Sequence, residues 1–174
     1  MENYLRKHAK AIAPCSLILE TEGGGELYLG GVDEIDKQNV SRFNHIISII
    51  QTDHLKFFNY KQLQDENQKR DVYEYDDTPF ENISILFEKV TEDIHASLLA
   101  GKKVYVHCFM GRSRSASLVT AYLIRYHGMA LKEALRFLRS KRAININYGF
   151  IAQLESYERS RTADTIELVQ ISSN

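Results

Sequence analysis

Apolar residues fall along this chain in short dense runs, separated by breaks rich in glycine and aspartate, and their spacing alternates between strand and helix periods. Residues 1–22 read as a short helical or irregular arm that ends in Gly23-Gly24-Gly25. Leu27-Tyr28-Leu29 then reads as a strand stopped by Gly30-Gly31. His45 to Ile50 carries Ile46, Ile47, Ile49 and Ile50, a run of strand length suited to burial on both faces. Asn59 to Arg70 is polar and turn-rich. Val72 to Tyr75 is a further short strand, broken by Asp76-Asp77-Thr78-Pro79. From Ile83 to Leu99 the apolar positions Ile83, Leu86, Phe87, Val90, Ile94 and Leu98 recur at helical spacing, with Gly101 just past the end. Val104-Tyr105-Val106 predicts another strand. Ser115–Tyr126, Leu131–Arg139 and Phe150–Tyr157 predict three more helices, the first closed by Gly128.

Strands that alternate with helices and then give way to helices alone predict an α/β fold with a central, mostly parallel twisted sheet flanked by helices. The tail after Arg159 is polar and weakly patterned, and reads as loose. In such sheets a ligand sits beyond the carboxyl ends of the strands, which is where the loop after Val106 belongs.

Composition narrows the partners. Hydrophobic residues make up 44% of 174 residues, enough for one core without disulfides. With 22 basic residues against 23 acidic ones the formal net charge is −1, so no global field draws the chain to nucleic acid or anionic lipid. Any anionic ligand must therefore be held by a local site. No apolar run approaches the length of a membrane span. Two cysteines, Cys15 and Cys108, do not make a disulfide framework and fit a reducing compartment. Neither end carries a recognisable leader or lipidation signal. The expectation is a monomer in the cytoplasm, with the nucleus as the alternative.

One segment holds the chemistry: His107-Cys108-Phe109-Met110-Gly111-Arg112-Ser113-Arg114-Ser115. A cysteine and an arginine six residues apart, between a strand and a helix, make physical sense as an anion receptor. The loop between them can wrap so that its backbone N–H groups point inward, and the helix adds its positive N-terminal end. Arg114 can grip two phosphate oxygens with its planar fork, and the same field favours a thiolate on Cys108. The spacing alone arises often by chance. Here it follows an apolar strand, has Gly111 where the loop must turn, and precedes an apolar helix.

These residues resemble the signature loop of the cysteine-based protein phosphatases, in the form usual among small dual-specificity members. Glu26 to Gly30, Asp77 to Asn82 and Arg142 to Leu154 are similar to the family's opening strand, general-acid loop and late helix–loop element. The resemblance covers roughly residues 26–158, and it implies a catalytic domain over 26–158 between an N-terminal arm over 1–25 and a flexible tail over 159–174. Ile146 departs from the family, whose members mostly carry proline there, and leaves that loop less rigid. The resemblance implies Cys108 as nucleophile and Arg114 with the backbone of Phe109, Met110, Gly111, Arg112, Ser113 and Arg114 as phosphate cradle. It implies Ser115 as the hydroxyl that helps the sulfur leave, and His107 as a support for the cysteine rather than a base. One carboxyl must act as acid and then base; the resemblance favours Asp77 over Asp76. No metal or other cofactor is implied.

Other residues carry weaker signals. His8, His45, His54, His95 and His127 lack metal-ligand spacing. Arg112 can meet a substrate anion or simply face water, and Phe109 and Met110 can flank the mouth or pack beneath it. Cys15 can in principle trap an oxidised Cys108 as a disulfide. The expected partner is a phosphorylated protein, with both phosphotyrosine and phosphoserine/phosphothreonine accepted by a shallow cleft. Phosphoinositide, glucan and RNA 5′ ends are rival substrates; a lysine-poor loop speaks against the highly charged inositides. A phosphopeptide-binding module without catalysis is the rival from another class.

Overall fold

The computed structural model describes residues 15–34, 40–51, 54 and 68–172. Five strands form one sheet: β1 (Ser16–Glu20), β2 (Glu26–Gly31), β3 (His45–Ile49), β4 (Lys69–Tyr73) and β5 (Lys103–Cys108), in the order β1-β2-β5-β3-β4. Only β1 runs antiparallel to its neighbour. Among the described residues four α-helices lie between 87 and 172: α1 (Phe87–Leu99), α2 (Arg114–His127), α3 (Leu131–Lys141) and α4 (Tyr148–Ser172). The α/β class and the mostly parallel sheet are those the pattern predicts.

β5 lies at the centre, and side chains alternate across it with the pleat. Val104, Val106 and Cys108 face the helices together with Leu27, Leu29, Ile47 and Ile49. Tyr105 faces the other way, into a smaller cluster with Tyr28, Val40, Phe43 and Ile46. There Phe43 stacks on Tyr105 at 4.7 Å and meets Tyr28 edge-on at 5.3 Å. The dense apolar run at 46–50, broken only by Ser48, is explained by this arrangement, since β3 is covered on both faces.

Three boundaries depart from the pattern. The supposed arm supplies a strand: Ser16–Glu20 pairs with β2, with Ile18 buried and Leu17 exposed. Gly23-Gly24-Gly25 is accordingly a hairpin turn, closed by Thr21 N–H to the Gly25 carbonyl at 2.8 Å, with Gly24 at φ +80°. The strand near residue 72 begins at Lys69, three residues earlier than Val72, because an edge strand beside β3 is held by backbone pairing and tolerates polar side chains. Finally, α4 starts at Tyr148 and its backbone stays helical past Arg159 to Ser172, where a loose tail was expected. The polar stretch 59–67, like His8, lies outside the described residues.

Candidate active site

β5 is buried from Val104 to Cys108, and the chain leaves it at the carboxyl edge of the sheet through residues 109–113 into α2. Gly111 stands at φ +66°, and a Cβ there would overlap the Gly30 carbonyl and the Arg142 guanidinium, so glycine is required twice over. Every carbonyl from 109 to 113 is turned outward to a donor. Phe109 O accepts from Val32 N–H (3.0 Å), Met110 O from Arg142 Nη2 (3.0 Å) and Gly111 O from Arg142 Nε (2.9 Å). Arg112 O accepts from Asn145 N–H and Ser113 O from Ser117 N–H, each at 2.8 Å. In a trans peptide the N–H points opposite to the C=O, so tying the carbonyls outward presents the amides of 110–114 to the inside of the loop. An anion receptor results.

Cys108 lies at the floor of this loop, 1% exposed. Its Sγ accepts from Gly111 N–H and from Ser115 Oγ, both at 3.2 Å. Above it opens a pocket of 310 Å³ lined by Asp77, Cys108, Phe109, Met110, Arg112, Ser113, Arg114 and Asn145. Arg114 is buried; Nη1 donates to the Tyr75 carbonyl at 2.8 Å, while Nε meets no acceptor within hydrogen-bond distance. A buried guanidinium N–H left over beside a pocket is a donor waiting for a ligand oxygen.

The two aspartates part company here. Asp77 Oδ1 accepts from Ser113 Oγ (2.7 Å) and Asn147 Nδ2 (2.8 Å), and Oδ2 stands 3.7 Å from Arg114 Nε. Asp76 instead takes a hydrogen bond from the Gln51 side chain, beyond the end of β3. Asn147 has a second task. Its Oδ1 accepts from Phe150 N–H at 3.0 Å and caps the first turn of α4, so the helix start and Asp77 share one anchor. Gln153 ties the same loop down, accepting from Ile83 and Ser84 N–H (2.9 Å each) and donating to the Glu81 carbonyl (2.7 Å).

His107 lies on the opposite face of β5 from Cys108. Its Nε2 pairs with Ser48 Oγ at 2.7 Å, and complete burial pushes its pKa down to about 4, so it is neutral at physiological pH. Beneath the loop, Arg142 and Glu34 form a buried ion pair at 2.6 Å, with burial raising the Glu34 pKa while Arg142 works against that rise. Sequence reasoning assigned no role to Arg142, Glu34, Asn147, Gln153 or Ser48. Three of these stand inside the quoted 142–154 element, but their partners are up to 108 residues away.

The remaining candidates scatter. Arg112 and Met110 are exposed on the rim, and Phe109 stacks on His54 at 4.6 Å. Cys15 packs against the cluster on the far face of the sheet from Cys108, and both cysteines are free. His95 stacks on Tyr126 at 3.8 Å, and His127 meets Tyr122 edge-on. Among the described residues no group of three or more histidine, cysteine or acidic side chains is placed to hold a metal ion.

Comparison with known proteins points one way. The family model described as dual specificity phosphatase, catalytic domain, matches residues 27–160. Dual specificity protein phosphatase 1 of Arabidopsis thaliana is 36% identical over 141 residues, 77% of this chain and 66% of that protein. Dual specificity protein phosphatase 26 of Homo sapiens is 34% identical over 135 residues, 76% of this chain and 64% of that protein. The chain thus spans somewhat under two thirds of the length of these curated relatives. Among solved structures, the human tyrosine phosphatase-like serine/threonine/tyrosine-interacting protein is similar at a TM-score of 0.71 and 34% identity, over 84% of this chain and 96% of that one.

Proposed function

This chain belongs to the dual specificity phosphatase family, and on that footing we propose that it is a cysteine-dependent protein phosphatase acting on phosphotyrosine and on phosphoserine/phosphothreonine. The observation that carries the proposal is the convergence of Cys108 Sγ, Arg114, whose Nε makes no hydrogen bond, and Asp77 on one pocket of 310 Å³.

In the first step the Cys108 thiolate attacks phosphorus, an S–P bond forms and the P–O bond to the substrate side chain breaks. Asp77, held by Ser113 and Asn147, gives its proton to the departing oxygen. The amides of 110–114 and Arg114 receive the equatorial oxygens as charge redistributes. In the second step Asp77, now a carboxylate, takes a proton from water as that water attacks phosphorus. The S–P bond breaks, inorganic phosphate leaves, and the Ser115 hydroxyl donates to the sulfur as it regains negative charge. His107, neutral and fixed by Ser48, braces the strand end behind the nucleophile.

A binding-only module has no need of a nucleophile, a hydroxyl on its sulfur and a carboxyl above it, and all three are present. The test is turnover of p-nitrophenyl phosphate, followed by acid quench and peptide mapping. Phosphate on the peptide that contains Cys108 is expected. Turnover without a phosphocysteine would overturn the mechanism. Matched phosphotyrosine and phosphothreonine peptides then read the substrate class, and complete absence of phosphothreonine turnover would restrict the enzyme to aryl phosphates.

A further inference from the structure

Phe80 is 90% exposed and Tyr148 72% exposed, beside the pocket rather than remote from it. Phe80 stands three residues beyond the pocket-lining Asp77, which places it within about 11 Å along the chain. Tyr148 directly follows Asn147, whose amide holds Asp77. The two segments that carry them meet at the backbone, because Gly149 lies so close to Pro79 that a Cβ there would overlap the Pro79 carbonyl. The loop that carries Phe80 is already pinned by Gln153 and by this close approach. The phenyl ring itself supports nothing in the fold, yet a whole aromatic ring stands in water next to a site.

We propose, resting on the phosphatase reading above, that Phe80 and Tyr148 form an apolar shelf for a substrate residue next to the phosphorylated one. With the phosphate in the cradle, peptide positions one to three residues away reach up to about 3–11 Å from the phosphorylated residue, the same reach that separates Phe80 from Asp77 along the chain. The charges beside the shelf choose the occupant. Asp76, Asp77 and Glu81 surround Phe80 in sequence, a setting that repels an anionic lipid surface and accepts a peptide with an apolar flank. The enzyme therefore selects phosphopeptides that carry a large apolar residue at one flanking position, and disfavours an acidic residue there.

The experiment compares phosphotyrosine peptides that differ only in Leu or Asp at each position from three before to three after the phosphoresidue. In the wild type, Leu at one flank raises kcat/KM about 10-fold over Asp, the scale of one apolar contact in a specificity pocket. In the Phe80→Ala/Tyr148→Ala variant that ratio falls to near one, while kcat/KM for p-nitrophenyl phosphate, which has no flanking residue, is unchanged. No Leu preference in the wild type, or a preference that survives in the variant, overturns the shelf. So does loss of binding to phosphatidylserine vesicles, or loss of self-association, in place of the peptide effect. Should the wild type fail to turn over p-nitrophenyl phosphate, the phosphatase reading falls by itself. The same peptide pairs titrated against Cys108→Ser then read the shelf as a ratio of Kd values, with the same two outcomes.

Discussion

Each end of the sheet carries a buried histidine with a serine partner, and the two ends use them differently. At the amino end of β3, His45 pairs with Ser97 Oγ through Nδ1 and with Asp71 through Nε2, both at 2.8 Å. Asp71 meets Lys69 at 3.1 Å, Lys69 meets Asp93 at 3.2 Å and Asp93 meets Lys89 at 2.6 Å. Each charge in this line meets an opposite one, and the line runs out to solvent at Lys89. At the carboxyl end His107 pairs with Ser48, but the polar groups on the other face of that strand end are not consumed. Arg114 Nε has no acceptor within hydrogen-bond distance, the loop amides face inward, and Cys108 Sγ receives two hydrogen bonds at the floor of the pocket. Similar residue types thus build a fastening at one end and a receptor at the other. What separates them is unspent hydrogen-bonding capacity that converges on a pocket, rather than the presence of a hydroxyl, an imidazole and a carboxylate.

The sharpest break of this comparison is Cys108→Ser. Turnover is expected to fall below detection, while vanadate or phosphate still binds and the thermal midpoint holds, because the cradle amides and Arg114 remain. Loss of anion binding together with turnover would mean that the sulfur shapes the receptor as well as reacting. Next comes Asp77→Asn, expected to lower kcat by about 10²–10⁴-fold on alkyl phosphates and by less on p-nitrophenyl phosphate, whose leaving group needs no proton. Asp76→Asn, which disturbs only the contact with Gln51, should stay near the wild-type rate. A reversed ranking of these two variants would transfer the acid role to Asp76.

Arg142→Ala probes the support beneath the receptor. It orphans the carbonyls of Met110 and Gly111 and strands a buried Glu34, and should cost about 3–5 kcal/mol in denaturant unfolding along with weaker phosphate affinity. Lys89→Ala at the other end breaks an exposed pair and should cost no more than about 1 kcal/mol. Equal costs would erase the distinction between the two ends.

Acid titration separates the two histidines more gently. His107 binds a proton at about 4 when folded and at the ordinary value of about 6.5 when unfolded, so between these pH values the unfolded chain holds more protons. Its contribution is fully present above pH 6.5 and is lost as pH falls to about 4, a change of roughly 3 kcal/mol. His45 is also lowered, by burial against the pull of Asp71, and adds in the same direction. Urea unfolding at pH 7 and pH 4 should therefore flatten more in His107→Asn than in His45→Asn. A similarly small effect is expected from Asp71→Asn, about 1 kcal/mol of stability with kcat unchanged; a fall in kcat would show that the amino-end network reaches the active site.

By itself the sequence determined the parts of this protein whose causes are local. The doubly buried strand at 46–50 and the amphipathic stripe from Ile83 to Leu98 are written in side-chain periodicity, because burial acts on each residue wherever its element finally packs. The cradle is equally local: Cys108, Gly111 and Arg114 stand within seven residues between an apolar strand and an apolar helix, and that spacing in that setting predicts an anion receptor at a strand–helix junction. Only the tertiary structure decided whatever depends on a partner far along the chain. Ser16–Glu20 became a strand because β2 offered an open edge, and Lys69–Asp71 joined the sheet through backbone pairing despite its charges. Asp77 rather than Asp76 faces the pocket because Ser113 and Asn147, 36 and 70 residues away, hold its carboxylate. Arg142 reaches the loop carbonyls only once α3 has docked, and Glu34 is buried against it across 108 residues. No window of sequence contains both members of such a pair. The fold brings them together because burying a charge or a carbonyl without its partner costs more than the chain's small net stability can bear.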